Sequence, residues 1–193
     1  LISGSFGVGS GGGSGGAILA GALTTGAQAG NWHVVALRSD SKVAWQKDVP
    51  PPNGVQKLIR VIAVLDRGPL GVVVAGRGQR QDNSLAVVTV TVGLDGVVGP
   101  TVQHLEGKLP WVASLDGAAL HPTGNIALAG TQGAFSATTG LRTLSGVDLW
   151  TYKVGLPITR IANLMITKAG VVAIAIEVPK SLGGYVLLGM SAI

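Results

Sequence analysis

The chain has 193 residues, 14 basic and 9 acidic side chains, a net charge of +5, and a charged share of only 12%. That share is about half that of an ordinary domain, too small for charge-driven disorder and too small to solvate the outer faces of a helical bundle. With 47% apolar residues, 31 glycines and no cysteine, the composition suits many short strands joined by tight turns and excludes disulfides, thiolate chemistry and Cys-based zinc sites.

Taken in chain order, residues 1–8 (LISGSFGV) read as a first strand, followed by a glycine run at 9–16 (GSGGGSGG) where a short turn is expected. This run is either a natural glycine loop or an engineered linker. Its glycines fit loose phosphate-loop templates, but no Lys-Ser/Thr and no helical pattern follow, so a turn is expected. Strands follow at 16–21 (GAILAG), 32–38 (WHVVALR) and 43–49 (VAWQKDV), with a turn at 39–42. A second set lies at 60–66 (RVIAVLD), 71–76 (GVVVAG), 84–91 (SLAVVTVT) and 97–105, with the hairpin dipeptide Asp95-Gly96 before its last strand. A third set opens at 112–121 (VASLDGAALH) and 125–130 (NIALAG). Its stretch 135–144 lacks a clean turn, so 147–154 is either its third or its fourth strand. A fourth set reads 160–167 (RIANLMIT), 170–176 (GVVAIAI) and 185–190. The apolar run at 171–176 is interrupted by Glu177, Pro179 and Lys180, well short of the roughly 18 apolar residues of a helical membrane span.

One alanine recurs near the end of each second strand: Ala20, Ala75, Ala129 and Ala175, spaced by 55, 54 and 46 residues. Self-similarity at that period marks a repeat architecture. The expectation is a single repeat domain with units at about 1–55, 56–108, 109–156 and 157–193. Each unit is a four-stranded antiparallel meander of blade length, and the whole is an all-β, β-propeller-like array of about four blades with the last one incomplete.

Residues 118–130 (AALHPTGNIALAG) carry the pattern Ala-x-Leu-x-Pro-x-Gly-x-Ile-x-x-Ala-Gly, and 32–48 (WHVVALRSDSKVAWQKD) read as a second hairpin. In these motifs the chain resembles delta-60-type and related bacterial β-propeller repeat proteins. The His-Pro-Thr-Gly turn of the pattern is confined to the third unit; 67–70 and 167–169 depart from it. The resemblance implies a propeller-like fold in bacterial surface or secreted proteins. A cysteine-free chain that opens at Leu1 without Met also fits an exported, processed product, and the expected location is extracellular or the cell envelope.

Catalytic constellations are weak. Of His33, His104 and His121, only the last shares a stretch with Ser114 and Asp116, and Asp40 is placed to approach His33, but neither stretch has a nucleophile-elbow context. The acids Asp40, Asp48, Asp66, Asp82, Asp95, Asp116, Asp148, Glu106 and Glu177 fall mostly at turns and strand ends, where Asp serves the backbone. No calcium loop is present, and no cofactor or metal site is expected. Basic residues are scattered from Arg38 to Lys180, densest at Arg77 and Arg80. This is not a nucleic-acid pattern, but it suffices to attract an anionic polysaccharide or cell surface.

Two sets of residues stand out for binding. Trp32, Trp45, Trp111 and Trp150 are candidate ligand contacts of the kind that stack on sugar rings, although packing is their ordinary role. They look inequivalent, Trp45 lying 25 residues after Ala20 and Trp150 21 after Ala129. Tyr185, Val186, Leu187 and Leu188 form an apolar last strand with no successor in its unit, an edge suited to strand addition. The expected function is a non-catalytic structural or assembly module, either a fragment of a longer propeller or a subunit completed by self-association or by other chains. The alternatives are a lectin-like carbohydrate-binding propeller and a hydrolase using loop carboxylates.

Overall fold

Short alternating runs of Val, Ile, Leu and Ala, broken by Gly and Asp, fold into strands and little else. The structure, a computed structural model, describes residues 9–11, 16–104, 114–131 and 136–191. Apart from 3₁₀ turns at Gly68–Leu70 and Lys180–Leu182, the regular elements among these residues are strands. The first sheet holds β1 (Gly9–Gly11), β2 (Gly16–Ala22), β3 (Trp32–Leu37) and β4 (Val43–Val49). The second holds β5 (Val55–Asp66), β6 (Val72–Arg80), β7 (Leu85–Val92) and β8 (Val98–His104). The third holds β9 (Ser114–Leu120), β10 (Ile126–Thr131), β11 (Ala137–Arg142) and β12 (Asp148–Val154), and the fourth β13 (Arg160–Ile166), β14 (Val171–Glu177) and β15 (Tyr185–Ser191). Within each sheet every strand pairs antiparallel with its neighbour in sequence, so the protein is all-β with four antiparallel sheets. The chain divides into two compact units, Leu1–His104 and Leu105–Ile193, each holding two sheets.

Three expectations change in detail. Part of the glycine run is strand: Gly9 pairs with Ile18, Ser10 with Ala17 and Gly11 with Gly16. The segment at 147–154 is a fourth strand, since β12 pairs with β11. The second sheet opens five residues earlier than expected, at Val55. The strand expected at 1–8, together with Trp111, Glu106 and Phe135, lies outside the described residues.

A single turn geometry recurs among the hairpins. In six of them the N–H of one residue donates to the carbonyl four residues on, and the fourth residue adopts positive φ and donates back. This holds for Arg38–Lys42, Arg80–Ser84, Gly93–Val97, His121–Asn125, Thr143–Val147 and Thr167–Val171, with closing bonds of 2.8 or 2.9 Å. The positive-φ position is glycine in four of them and Ser41 or Asn83 in the other two. This is the three-residue hairpin loop that ends in a left-handed residue. Thr167–Val171, which departs from the His-Pro-Thr-Gly wording, nevertheless has the geometry of His121–Asn125.

β-Bulges fall at matching places. On the first strand of three sheets one residue is left out of the ladder beside the recurring alanine: Ile62 opposite Ala75/Gly76, Asp116 opposite Ala129/Gly130, and Ala162 opposite Ala175/Ile176. Such an insertion raises the local twist and bends the strand. The smallness of the sequence there has a packing cause: a Cβ on Gly76 would strike the carbonyl oxygen of Arg60 and lie 2.6 Å from Cζ2 of Trp32. The third-to-fourth strand ladders also slip by one residue, at Ala36/Leu37, Val90/Val92 and Leu141/Arg142.

Within each unit the two sheets share one apolar core. In the first, Ile18, Ala20, Trp32 and Val34 of β2 and β3 join Val74 and Val88 of β6 and β7. In the second, Ala127, Ala129 and Leu141 join Leu164, Ile174 and Ile176. Each buried Val, Leu or Ile side chain stabilises by about 1.5–3 kcal/mol.

Candidate functional site

Register defines two faces on every sheet: one carries the recurring alanine, the other is its reverse. In the first unit the alanine face of the first sheet (Ala20, Val34) packs with the reverse face of the second (Val74, Val88). In the second unit the alanine face of the third sheet (Ala129, Leu141) packs with the reverse face of the fourth (Ile174, Ile176). Among the described residues the alanine face of the fourth sheet has no such cover. The third-strand residue directly opposite the alanine is Val34, Thr89, Thr139 or Leu187. Their exposures are 0%, 2%, 0% and 68%.

The same contrast holds one row along. Trp32 faces Ala22 on β2 and is fully buried, whereas Tyr185 faces Glu177 on β14 and is 67% exposed. On β15 the alternate residues Val186, Leu188 and Met190 pack against the core of the second unit, while Tyr185 and Leu187 project from the other side, the face that also carries exposed Met165. Among the described residues no strand pairs with the outer edge of β15. The four residues singled out by sequence thus share one strand but divide between two faces, Val186 and Leu188 inward, Tyr185 and Leu187 outward. Beside them, Arg160 Nε donates to Glu177 Oε2 at 2.5 Å, and this pairing raises the Arg160 pKa above its ordinary value.

The tryptophans are placed by packing. Trp32 lies in the first core. Trp45 packs against that core from β4, covers Gly96, and donates its indole N–H to the carbonyl of Leu94 at 2.8 Å, tying β4 to the turn between β7 and β8. Trp150 packs against the second core. The indole N–H groups of Trp32 and Trp150 are buried and find no acceptor among the described residues. Contrary to their spacing, Trp45 and Trp150 are equivalent: each is the third residue of its fourth strand and the first to pair after the ladder slip, opposite Ala36 and Leu141. Each strand then closes on a buried valine, Val49 or Val154. The four-residue discrepancy comes from the preceding connection, nine residues between β2 and β3 (23–31) against five between β10 and β11 (132–136).

The polar residues mostly serve structure. Asp40, Asp66, Asp82 and Asp95 each accept the backbone N–H two residues on, at 3.1, 2.7, 2.9 and 3.0 Å. The Ser84 hydroxyl and then its N–H hold Asp82 below the usual carboxylate pKa. Arg142, buried at the end of β11, lies 3.6 Å from Asp148. Burial pushes its pKa down and Asp148 opposes that.

His33 pairs with Asp48, not with Asp40, at 2.6 Å across β3 and β4, and the pair lies on the reverse face of the first sheet. His104 is buried against Thr89 Oγ1 at 2.6 Å. His121 Nε2 lies 3.0 Å from the carbonyl of Gly170, which can only accept, so Nε2 carries the proton and Nδ1 accepts from Thr123. This links two turns of the second unit. Ser114 opens β9 and His121 follows directly after its end, about 20 Å away along an extended strand, so Ser114 and His121 do not converge. No group of three or more His, Asp and Glu capable of holding a metal occurs among the described residues, and no helix there is long and apolar enough to cross a membrane. One half-open cavity of about 420 Å³ in the first unit is lined by Leu23, Thr24, Ala29, Gly30, Lys57, Leu58 and Ile59, with Lys57 its single charge.

No protein-family model matches the sequence, and no curated protein matches it. Among solved structures the chain is similar to a protein of unknown function from Bacteroides caccae, with 11% sequence identity and a TM-score of 0.45, over 91% of this chain and 60% of that one. The chain therefore spans about 60% of the length of that protein.

Proposed function

We propose that the chain is a non-catalytic structural module of an extracellular or cell-envelope protein, built of propeller-like blades of the bacterial repeat type, and that it works by assembly with other chains. The observation that carries this reading is β15: an apolar strand with one edge unpaired among the described residues and with Tyr185 and Leu187 about two-thirds exposed. A sheet edge with free N–H and C=O groups is a template for another strand, and an exposed apolar patch of this kind marks an interaction surface. Further support comes from the polar groups. The turn aspartates are engaged with backbone N–H groups, and Ser114, Asp116 and His121 of the third sheet are spread along and just past β9.

The test is the absolute mass in solution by light scattering after size exclusion, over at least a hundredfold range of concentration. The expected result is a mass that rises above one chain as concentration increases, with hydrogen exchange at Val186–Leu188 slowing in step. A mass of one chain throughout overturns the reading, and full protection of those amides in that monomer would show the edge closed within the chain.

A further inference from the structure

We infer that the uncovered alanine face of the fourth sheet receives the reverse face of the first sheet of a second copy of this chain, giving head-to-tail association; this rests on the assembly reading above. The two units of the protein supply the pattern. In both, an alanine face packs against a reverse face, never like against like. By that rule a sheet that exposes its alanine face calls for a reverse face, and the first sheet has one outside the core of its own unit: Leu19, Val35 and Leu37, half-buried, with the His33–Asp48 pair, whose side chains are 21% and 37% exposed.

Row by row the two surfaces match. In the first unit the row Ala22–Trp32 meets Gly76, Trp32 lying close over the glycine. The equivalent row of the fourth sheet is Glu177–Tyr185, flanked by Arg160. The row equivalent to Gly76–Val88 in the first sheet is Gly21–His33, flanked by Asp48. An aromatic ring again meets a glycine, and the row brings the Arg160 guanidinium to the patch that carries the Asp48 carboxylate, opposite in charge. The next row sets Ala175–Leu187 on Leu19–Val35, apolar on apolar. Because the two patches differ, the contact is heterologous: each copy keeps one free patch, and association continues unless a ring closes.

The experiment uses two variants of the full chain, Leu187→Lys on the alanine face and Val35→Lys on the reverse face, with circular dichroism as a check on folding. Asp48→Lys replaces the second if Val35→Lys does not fold. Light scattering on each variant alone should give the mass of one chain at concentrations where the unaltered protein is larger. An equimolar mixture should give the mass of two chains and no more, because only one complementary pair of patches survives. Two outcomes overturn the inference and leave the assembly reading standing: assembly of Leu187→Lys like the unaltered chain, or a mixture that stays at one chain. If the unaltered protein itself stays at one chain, both fall.

Discussion

β3 and β15 are each the third strand of their sheet and pair with the second strand in the same register, Val34 opposite Ala20 and Leu187 opposite Ala175. Both alternate large apolar residues on the alanine face, Trp32 and Val34 in one, Tyr185 and Leu187 in the other. Yet β3 buries them completely and β15 leaves them mostly exposed. The difference lies in the cover and not in the strand. The alanine faces of both sheets carry large apolar residues on the third strand, and burial is conferred by the neighbouring sheet. A face without a neighbour therefore exposes the apolar side chains that the matching face of β3 buries.

Three substitutions test this comparison. The largest effect is expected for Trp32→Ala, which empties the centre of the first core and should cost about 3–5 kcal/mol in urea unfolding; a loss under about 1 kcal/mol would erase the contrast with β15. Next comes Gly76→Ala, whose new methyl points at Trp32 and the Arg60 carbonyl. Overpacking there should cost about 1–3 kcal/mol, and less in a Trp32→Ala background, since the two sites are in contact. The smallest is Leu187→Ala, expected to change unfolding by no more than about 0.5 kcal/mol at concentrations where the chain is alone. A cost comparable to that of Trp32→Ala would mean that β15 is covered in solution after all.

The strands themselves were legible in the sequence, because Val- and Ile-rich runs between Gly and Asp leave few other solutions. The recurrence of Ala20, Ala75, Ala129 and Ala175 was legible too, but its cause was not. It lies in the bulges opposite the last three and in the approach of Trp32 to Gly76, which appear only when strands are paired. The equivalence of Trp45 and Trp150 was hidden by unequal connections upstream, since counting along the chain adds loop length to strand register. The turn at Thr143–Val147 escaped notice because a threonine does the work of the expected aspartate, its hydroxyl accepting the N–H of Val147 at 3.0 Å. The apolar character of residues 185–188 could be read directly; which of them face outward required the ladder to β14.

β5 shows the same limit in reverse. Its buried residues are Val55, Leu58, Val61 and Val64, every third position instead of every second, a spacing that resembles a helix more than a strand. Three bulges produce it, leaving Gln56, Ile59 and Ile62 outside the pairing with β6. These three residues give the strand slack. Removing one of them would turn a bulge into regular ladder and keep each remaining residue on its partner in β6, at the cost of the local bend. The same one-residue deletion from β6 would invert all that follows, because there each residue counts toward the alternation. Over evolutionary time β5 is thus free to shorten by single residues, while the strand beside it is held to its length.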